Sequence, residues 1–450
     1  MAGPATIYAL SSGHGRAGVA VIRVSGAAAG EALDRLAPPR PKPRFAAFRV
    51  VRSESGEVLD GALVLWIPGP RSETGEDMAE FHVHGGRAVI AGVLAALSGL
   101  PGLRLAEPGE FARRAFENGK IDLTAAEALA DLVDADTAAQ RRQALRQAGG
   151  ALARLYDGWR ADLIRAQALA ESAIDFSDQA DIGAGALTEA RALVGRLAPA
   201  IRAHLDDGRR GEILREGFRV AIAGPPNAGK SSLLNALARR EAAIVSEEAG
   251  TTRDIVELTL DLGGVPVVLS DTAGIREAEG RVEREGIRRA LAHARAADLV
   301  VWLTDVSASR PEPPPPDLAA AGGEVLRVVN KLDQVKAGLS GARAPDSVNG
   351  ALWISVLTGE GLPDLAEAVG RKAAERIGAS EAPVITRARH REHLAACAEA
   401  LEVFLAGPQA DLELRAEDLR RAATALGRIT GRVDVEDVLG EIFGRFCIGK

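Results

Sequence analysis

The sequence predicts a multi-domain fold: an α+β domain, an all-α domain, and an α/β P-loop domain inserted into the all-α one. Three observations predict this. Apolar runs separated by Gly and Pro fill residues 1–120, whereas 121–215 and 379–450 are rich in Ala, Leu and Arg at helical spacing. Residues 216–378 carry a strand pattern that leads into G-x-x-x-x-G-K-S and then a helix pattern. Because the helical character resumes afterwards, we expect the P-loop domain to interrupt a single helical domain.

The composition is that of a globular protein. The 450 residues are 47% apolar and 26% charged. We expect no membrane span, since no run approaches the roughly 20 apolar residues that one requires. Two cysteines cannot build a disulfide framework, and the first residues lack a signal-peptide pattern, so we expect a cytoplasmic protein. The net charge of −7 argues against a strongly basic nucleic-acid binder but allows a local basic patch.

The first 120 residues contain strand-like runs. They read AGVAVIRVSG, GALVLWIPGP and MAEFHVHGG. In the last run, His82 and His84 would share one face of the strand, as a metal pair could. No third ligand stands at a recognisable spacing, so we favour a polar, structural role for both.

Two helix signals belong to the all-α domain. Thr124-Ala-Ala-Glu127 predicts a capping box before an apolar run. Near residue 440, apolar residues at helical spacing predict an amphipathic helix with Asp434 as its N-cap. Its stripe consists of Val435, Val438, Leu439, Ile442, Phe443 and Phe446. We expect the helices of residues 121–212 to cover this stripe.

Phosphate-binding chemistry is predicted at Gly224–Ser231. The preceding run, FRVAIAG, is typical of a buried strand, and the following run, SLLNALAR, of a helix. Glycines at these positions let backbone N–H groups surround phosphates at a helix N-terminus. We expect Lys230 to reach the β- and γ-phosphates and the Ser231 hydroxyl to bind Mg²⁺.

Later motifs predict the rest of a nucleotide site. Asp271 ends the strand VPVVLSDTAG, where it would bind a water ligand of the magnesium, and the Gly274 N–H would contact the γ-phosphate. Residues 250–254, GTTRD, form a candidate switch loop. Asp333 ends N-K-L-D, and its carboxylate can accept both the N1–H and the exocyclic amine of guanine. Adenine offers neither group in that arrangement, so the motif favours GTP. The strand ALWIS and the loop after it would close over the base.

Two departures from Ras-like GTPases concern hydrolysis. Ile275 stands where a glutamine would orient the attacking water. Carboxylates nearby offer substitutes: Glu277, Glu279, Glu283 and Glu285. No arginine finger is evident, and a monovalent cation bound by Asn227 could supply that charge.

Further motifs extend over nearly the whole chain. They are GRAGVAVIRVSG at 15–26, TGEDMAE at 74–80, HGG at 84–86, EPGEFARRAFENGKIDL at 107–123, GTTRD, DTAGIREA and the final FCIGK. With the nucleotide motifs, they resemble the MnmE (TrmE) family of tRNA-modification GTPases. One departure is Glu73, where the family usually carries an aromatic residue.

The resemblance implies a fold, partners and a reaction. The N-terminal domain would be related to folate-binding aminomethyl-transfer proteins and would form a homodimer. A heterotetramer with the FAD protein MnmG would modify C5 of the wobble uridine, position 34, of tRNA. The carbon would come from 5,10-methylene-tetrahydrofolate, with 5-formyl-tetrahydrofolate as a bound analogue, and the nitrogen from glycine or ammonium. Family folate contacts correspond to Arg23, Glu80, Lys120 and Lys450.

The resemblance also implies how GTP is hydrolysed. Nucleotide domains would dimerise around K⁺, with Glu283 orienting water and Thr252 completing the Mg²⁺ shell. Potassium ligands would be Asn227 and backbone oxygens of the switch loop, including Ser246, Glu248 and Thr251. The residues expected at nucleotide and ions are Asn227, Ala228, Gly229, Lys230, Ser231, Ser232, Ser246, Glu247, Glu248, Ala249, Gly250, Thr251, Thr252, Asp271, Thr272, Ala273, Gly274, Asn330, Lys331, Leu332, Asp333, Ser355, Val356 and Leu357.

Cys447 has two interpretations of equal weight. Its thiolate, favoured by Arg445 and Lys450, could attack uridine C6 and so activate C5. Alternatively, it is a packed thiol where the last helix ends. Because Lys450 corresponds to a folate contact, we expect the tail to approach the N-terminal domain. The expected catalytic residues are therefore Lys230, Glu283 and Cys447.

Other functions remain open at this point. A ribosome-assembly GTPase without modification activity would share the GTTRD switch but would not need a folate-like domain or the CIGK tail. A folate enzyme regulated by GTP is a third possibility. A weak candidate for tRNA binding is the cluster Arg141, Arg142 and Arg146, since such a cluster is more often a solvated helix face.

Overall fold

The computed structural model describes most of the chain. The described residues are 5–13, 15–175, 180–240, 243–244, 257–271, 297–306, 313–316, 324–336, 350–378, 382–408, 411–433, 436–444 and 446–449. The chain divides into two compact units. The first unit comprises Met1–Ala130, Gln147–Arg160 and Ala423–Lys450, and the second comprises Asp131–Arg146 and Ala161–Ala422.

A six-stranded sheet forms the centre of the first unit. Its strands are β1 (Thr6–Leu10), β2 (Ala17–Ser25), β3 (Ala47–Arg52), β4 (Val58–Ile67), β5 (Met78–Gly85) and β6 (Leu103–Leu105). They are ordered β3-β4-β5-β2-β1-β6, with only β1 and β6 parallel among these pairs. The three strand-like runs of the sequence correspond to β2, β4 and β5, which confirms that prediction.

Alternation in β2 and β5 gives this sheet its core. Ile22, Val24, Phe81 and Val83 are buried on one face, where they pack with two helices. Those helices are α1 (Ala29–Leu36) and α2 (Arg87–Ser98). The intervening Arg23 and the carboxylate and imidazole side chains of β5 therefore lie on the opposite face.

Two further helices follow the sheet: α3 (Glu110–Glu117) and α4 (Leu123–Val133). The capping box predicted at Thr124 is wrong. Asp122 Oδ1 accepts the N–H groups of Thr124 and Ala125 at 2.8 and 3.2 Å, so Asp122 caps the helix. Thr124 lies inside α4 and donates its hydroxyl to the same carboxylate at 2.6 Å.

The helix α14 (Glu436–Gly444) and the residues after it pack the described part of the predicted apolar stripe into a core. Phe443 and Phe446 are 3% and 7% exposed. They pack with Ala112 of α3 and with Leu123 and Ala126 of α4. The contacts with α4 confirm the expectation that helices of residues 121–212 cover this stripe. The stripe also packs on α3, because Gly109 lets the start of that helix approach the Phe443 backbone closely. The predicted cap Asp434 lies outside the described residues.

The second unit contains a seven-stranded sheet. Its strands are β7 (Phe218–Ala223), β8 (Ala243–Ile244), β9 (Glu257–Leu262), β10 (Val265–Asp271), β11 (Leu299–Asp305), β12 (Glu324–Asn330) and β13 (Leu352–Trp353). The order is β13-β12-β11-β7-β10-β9-β8. The strands from β13 to β10 are parallel, and β9 and β8 are antiparallel additions. Their continuous apolar runs are typical of buried parallel strands.

Helices complete the second unit. Four of them flank the sheet: α8 (Arg210–Glu216), α9 (Lys230–Arg240), α10 (Leu332–Lys336) and α11 (Leu362–Ile377). The remaining helices among the described residues are α5 (Ala138–Ala148), α6 (Ala151–Asp175), α7 (Ala180–Leu205), α12 (Ala388–Ala406) and α13 (Leu412–Thr430). Within α12, burial raises the pKa of Cys397 to about 12, so this thiol is an inert core group.

The predicted fold class is confirmed: an α+β N-terminal part, helical segments and an α/β P-loop part occur in one chain. None of the helices within the described residues is both long enough and apolar enough to cross a membrane.

Candidate functional site

The P-loop leaves β7 through a backbone that only glycine tolerates. Gly224 has φ +153°, and a Cβ there would lie 1.9 Å from the Leu303 carbonyl oxygen. Gly229 has φ +98°, and its Cβ would lie 2.5 Å from Asn330 Nδ2. The loop thus passes close to β11 and to the end of β12, and the chain enters α9 at Lys230, as the motif predicts.

Lys230 is held against the loop itself. Its ammonium donates to the carbonyl oxygens of Gly224 at 3.0 Å and Pro225 at 2.9 Å. The cation therefore lies over the concave side of a loop whose N–H groups and helix N-terminus favour anions. Ser231 follows in the first turn of α9, where its hydroxyl is suited to a magnesium ion that also binds phosphate.

Asn330 joins the three loops that would surround a nucleotide. It is 3% exposed; its Nδ2 donates to the Ala228 carbonyl at 2.9 Å, and its Oδ1 accepts the Val356 N–H at 3.1 Å. Ser355 donates its hydroxyl to Asp333. The structure therefore brings together the P-loop, N-K-L-D and the loop after β13, as the motif order predicts. Leu357 is 84% exposed beside them.

Lys331 forms an ion pair with Asp305 of β11 at 2.9 Å. This contact fixes the long side chain along the edge where the base would lie. Leu332 donates its N–H to the Ile354 carbonyl at 3.0 Å, which joins the N-K-L-D turn to the neighbouring strand. Ala228, Gly229, Ser231 and Ser232 lie in the P-loop and the first turn of α9.

The remaining predicted nucleotide and ion contacts are not described. Asp271 ends β10, which places its backbone at the same sheet edge as β7 and β12. Outside the described residues lie Ser246, Glu247, Glu248, Ala249, Gly250, Thr251, Thr252, Thr272, Ala273, Gly274, Glu283 and Lys450. The role of each stays a prediction.

A second candidate site lies on the open face of the first unit's sheet. Arg23 of β2 stands opposite Glu80 of β5, and its Nε donates to Glu80 Oε1 at 3.0 Å. A second guanidinium nitrogen pairs with Glu73 at 3.0 Å. Glu73, noted above as a departure from the family pattern, thus engages one of the predicted folate contacts.

Lys120 reaches the same loop from the other side. Its Nζ donates to the Pro70 carbonyl at 2.6 Å, and its aliphatic stem lies against Gly75. The loop of residues 70–76 therefore bridges Lys120 and Arg23. The structure brings together three of the four predicted folate contacts, Arg23, Glu80 and Lys120; the fourth, Lys450, is not described.

A buried ionic network under this loop was not predicted. Arg114 is 6% exposed and donates to Glu76 at 3.0 Å and to Glu110 at 3.0 Å. Ser25 also donates to Glu76, at 2.7 Å. Burial alone would raise the pKa of Glu110, but hydrogen bonds from Arg104, the Glu107 N–H and Arg114 lower it to about 2. The i,i+4 spacing of Glu110 and Arg114 was the one sequence signal for this network.

The last described residues lie along the same sheet. Residues 108 and 448 form a β-bridge, and Gly109 donates its N–H to the Cys447 carbonyl at 3.4 Å. Gly449 packs on the Leu10 backbone, and Leu10 pairs with Ile22, the neighbour of Arg23. The tail thus approaches the N-terminal sheet, as expected. Cys447 is exposed and follows α14 instead of ending it, because the helix stops at Gly444.

The two histidines of β5 have separate partners. His82 contacts Glu80 at 2.9 Å, and His84 contacts Asp60 at 2.8 Å. Burial alone would raise the pKa of Asp60, but hydrogen bonds from His84 and from the Gly61 N–H lower it. This pairing matches the polar, structural role that we favour. Within the described ranges, His, Cys, Asp and Glu form no group that could hold a metal ion.

Comparison with known proteins decides the family. A model of the MnmE helical domain matches residues 123–447, and a model of the GTP-binding protein TrmE N-terminus matches residues 6–120. The curated protein "tRNA modification GTPase MnmE" of Parvibaculum lavamentivorans is 56% identical over 449 residues, 99% of this chain and 100% of that protein.

The chain belongs to the MnmE family. Proteins with the same curated name from Rhodospirillum rubrum and Rhodopseudomonas palustris are 54% and 51% identical, each covering 99% of both chains. Among solved structures, the FeoB G-domain of Methanococcus jannaschii is 22% identical, covering 35% of this chain and 97% of that chain. Its TM-score is 0.27, too low to add to the strand order described above.

Proposed function

We propose that this chain is a GTPase that acts in tRNA modification. The proposal rests on one combination: a P-loop and N-K-L-D site joined through Asn330, in a chain with full-length similarity to proteins named tRNA modification GTPase MnmE. Asp333 would select guanine, and Lys230 would meet the β- and γ-phosphates. Ser231 and Thr252 would hold Mg²⁺, which when bound offsets phosphate charge, and Asp271 would bind one of its water ligands.

Hydrolysis needs groups other than a glutamine and an arginine finger. Asn227 and the switch loop would hold K⁺ between two nucleotide domains, where the ion supplies positive charge. Asn227 has φ +62°, a left-handed conformation that asparagine tolerates better than most residues, so it suits this turn. Glu283 would orient the attacking water. Glu283→Ala should abolish GTP hydrolysis and retain GTP binding. Equal rates of GTP hydrolysis in Na⁺ and in K⁺ would reject the proposed role of K⁺.

The open face of the first unit's sheet would bind a tetrahydrofolate. Glu80 can accept the amidine-like edge of a pterin, while Lys120 and Lys450 can meet the folate carboxylates. Arg23 fits this role because its side chain is 25% exposed although it is paired with Glu80. When bound, 5,10-methylene-tetrahydrofolate supplies a one-carbon unit, and this chain's residues hold and orient it.

Cys447 is proposed as a nucleophile toward uridine. Its exposed thiol, as the thiolate, would add to C6 and make C5 nucleophilic. Once C5 has bonded to the incoming one-carbon group, loss of the C5 proton and expulsion of the thiolate from C6 would restore the C5–C6 double bond and the free thiolate. Modification retained in Cys447→Ser would rule out the nucleophile role.

The proposed assembly is a homodimer that forms a heterotetramer with MnmG. Phe48 and Leu63 support a docking face, because they are 64% and 48% exposed and stand opposite each other on the open side of the sheet.

The proposed domains are residues 1–120, residues 121–215 together with 379–450, and residues 216–378. Cytoplasmic location belongs to the same proposal.

Deletion of the gene tests the function. We expect the 5-modified wobble uridine to disappear from tRNA, as measured by nucleoside mass spectrometry. Unchanged nucleosides together with a ribosome-assembly defect would instead support the binding-switch alternative.

A further inference from the structure

The inner face of helix α5, which packs on the rest of the second unit, carries polar side chains. Thr137 and Gln140 form a capping box, in which the Thr137 N–H donates to Gln140 Oε1 at 3.0 Å and the Gln140 N–H donates to the Thr137 hydroxyl at 3.3 Å. Gln143 and Ala144, one turn further on, are 5% and 2% exposed. The helix therefore begins sharply and presents a fixed face inward.

This inner face is attached close to the nucleotide site within the second unit. Gln140 Nε2 donates to the Arg215 carbonyl at 3.1 Å, and Gln143 Nε2 donates to the Gly211 carbonyl at 3.4 Å. Both acceptors lie on α8, which leads directly into β7 and the P-loop. The Ala139 N–H donates to Gly264 at 3.3 Å, in the turn between β9 and β10. These contacts fix which side of α5 faces outward.

The outward side carries three arginines and no acidic residue. Arg141, Arg142 and Arg146 are exposed, and α5 contains no Asp or Glu. Among the described residues, none of the three has a carboxylate within 4.0 Å, unlike Arg165 and Arg202, which pair with glutamates at 2.6 Å. This local charge of +3 occurs in a chain with a net charge of −7.

The arrangement is unfavourable for the helix alone. Arg142 and Arg146 are neighbours at i,i+4, where like charges destabilise a helix. Leu145, which lies between the charges, is 51% exposed. An anionic partner would turn this repulsion into attraction, and guanidinium groups match phosphate geometry well.

We propose that the outer face of α5, formed by Arg141, Arg142 and Arg146, binds the phosphate backbone of the tRNA. The inference rests on the proposed function, which makes tRNA the substrate. Phosphate contacts fix position without reading sequence, so this face would hold different tRNAs alike.

The test measures binding of the full chain to a tRNA transcript by fluorescence anisotropy from 50 to 200 mM salt. The variant R141Q/R142Q/R146Q should bind roughly 10–100-fold more weakly, with a salt slope smaller by about two. GTP hydrolysis without tRNA should be unchanged. A matched control is R165Q/R202Q/R420Q, which removes three exposed, carboxylate-paired arginines of the second unit and should keep wild-type affinity.

Equal affinity and salt slope in both triple variants would overturn the proposal. The proposal would also be overturned if the wild-type chain bound polyglutamate but did not bind tRNA. The three arginines would then serve an acidic protein. If deletion abolishes the modification while R141Q/R142Q/R146Q binds tRNA normally, only this inference fails. Unchanged nucleosides after deletion would refute the proposed function itself.

Discussion

The nucleotide site and the open sheet face are built in different ways. In the nucleotide site, one short segment supplies the whole P-loop. Lys230 is held by the main-chain carbonyls of residues that precede it by 6 and 5 positions in the sequence. On the sheet face, Arg23 and Glu80 come from separate strands and are joined by register and an ion pair, and Lys120 is hydrogen-bonded to the loop beside them. The main-chain geometry of the P-loop is determined by one contiguous motif. The site on the sheet face depends on contacts between segments that are distant in the sequence.

The two sites also belong to different compact units. Substitutions in one site should therefore leave the other site intact, and mutagenesis can test this independence directly. The activity of one site can therefore serve as the internal reference for a substitution in the other.

The largest expected effect concerns Lys230→Ala. Removal of the ammonium should lower GTP hydrolysis by at least about 10³-fold, because no other described cation lies in the P-loop to meet the transferred phosphate. Binding of 5-formyl-tetrahydrofolate, measured by calorimetry, should be unchanged. As a control, Lys372→Ala removes an ammonium paired with Glu324 away from the loop and should retain activity. Loss of folate binding in Lys230→Ala would show that the sites are not separable.

Phe443→Ala should destabilise the first unit by about 3–5 kcal/mol. The ring is 3% exposed and packs on Phe446 at a centroid distance of 5.6 Å, so truncation leaves a cavity. Urea unfolding followed by circular dichroism measures the change, and GTP hydrolysis should persist. Ile448→Ala, which truncates a 48% exposed side chain in the same tail, should cost no more than about 0.5 kcal/mol. Equal losses for the two variants would contradict the packing of α14.

Glu80→Gln should weaken folate binding by roughly 10–100-fold, as expected for loss of a charge-assisted hydrogen bond. The amide keeps the size of Glu80 but weakens its pairing with Arg23. Titration of folate fluorescence provides the affinity, and the GTPase rate serves as the reference. A normal affinity would move the folate site away from this face.

The smallest effect is a pH dependence of the first unit. The Glu110 pKa lies at about 2, below its ordinary 4.5. Its ionised form therefore contributes stability that is fully present above about 4.5 and lost as pH falls toward about 2. Unfolding curves at pH 6, 4 and 3 should show that Glu110→Gln is less stable than wild type, with a difference that shrinks below pH 4.5. Glu117→Gln, an exposed control, should show little difference at any pH; a constant gap for Glu110→Gln would exclude the linkage.

The sequence predicts the nucleotide site far better than the sheet face. Strand β7, the P-loop and α9 form one continuous pattern, so local physics determines each part. By contrast, Arg114 and Glu76 are 38 residues apart, and nothing in either segment alone indicates that they pair. Only family resemblance placed Arg23, Glu80 and Lys120 at one site.

One helix prediction failed and another was incomplete. Thr124 lost its role as the N-cap because Asp122 competes for the same N–H groups with a charged acceptor. The stripe of α14 was assigned correctly, but its neighbours on α3 come from the N-terminal segment. Periodicity identifies a buried face without identifying what covers it.

The central claim is that GTP hydrolysis by this chain is required for modification of tRNA. The most direct measurement is nucleoside mass spectrometry of tRNA from a deletion strain that expresses either the wild-type chain or Lys230→Ala. We predict that wild type restores the 5-modified wobble uridine and that Lys230→Ala, produced at the same level, does not. Full restoration by Lys230→Ala would contradict the claim.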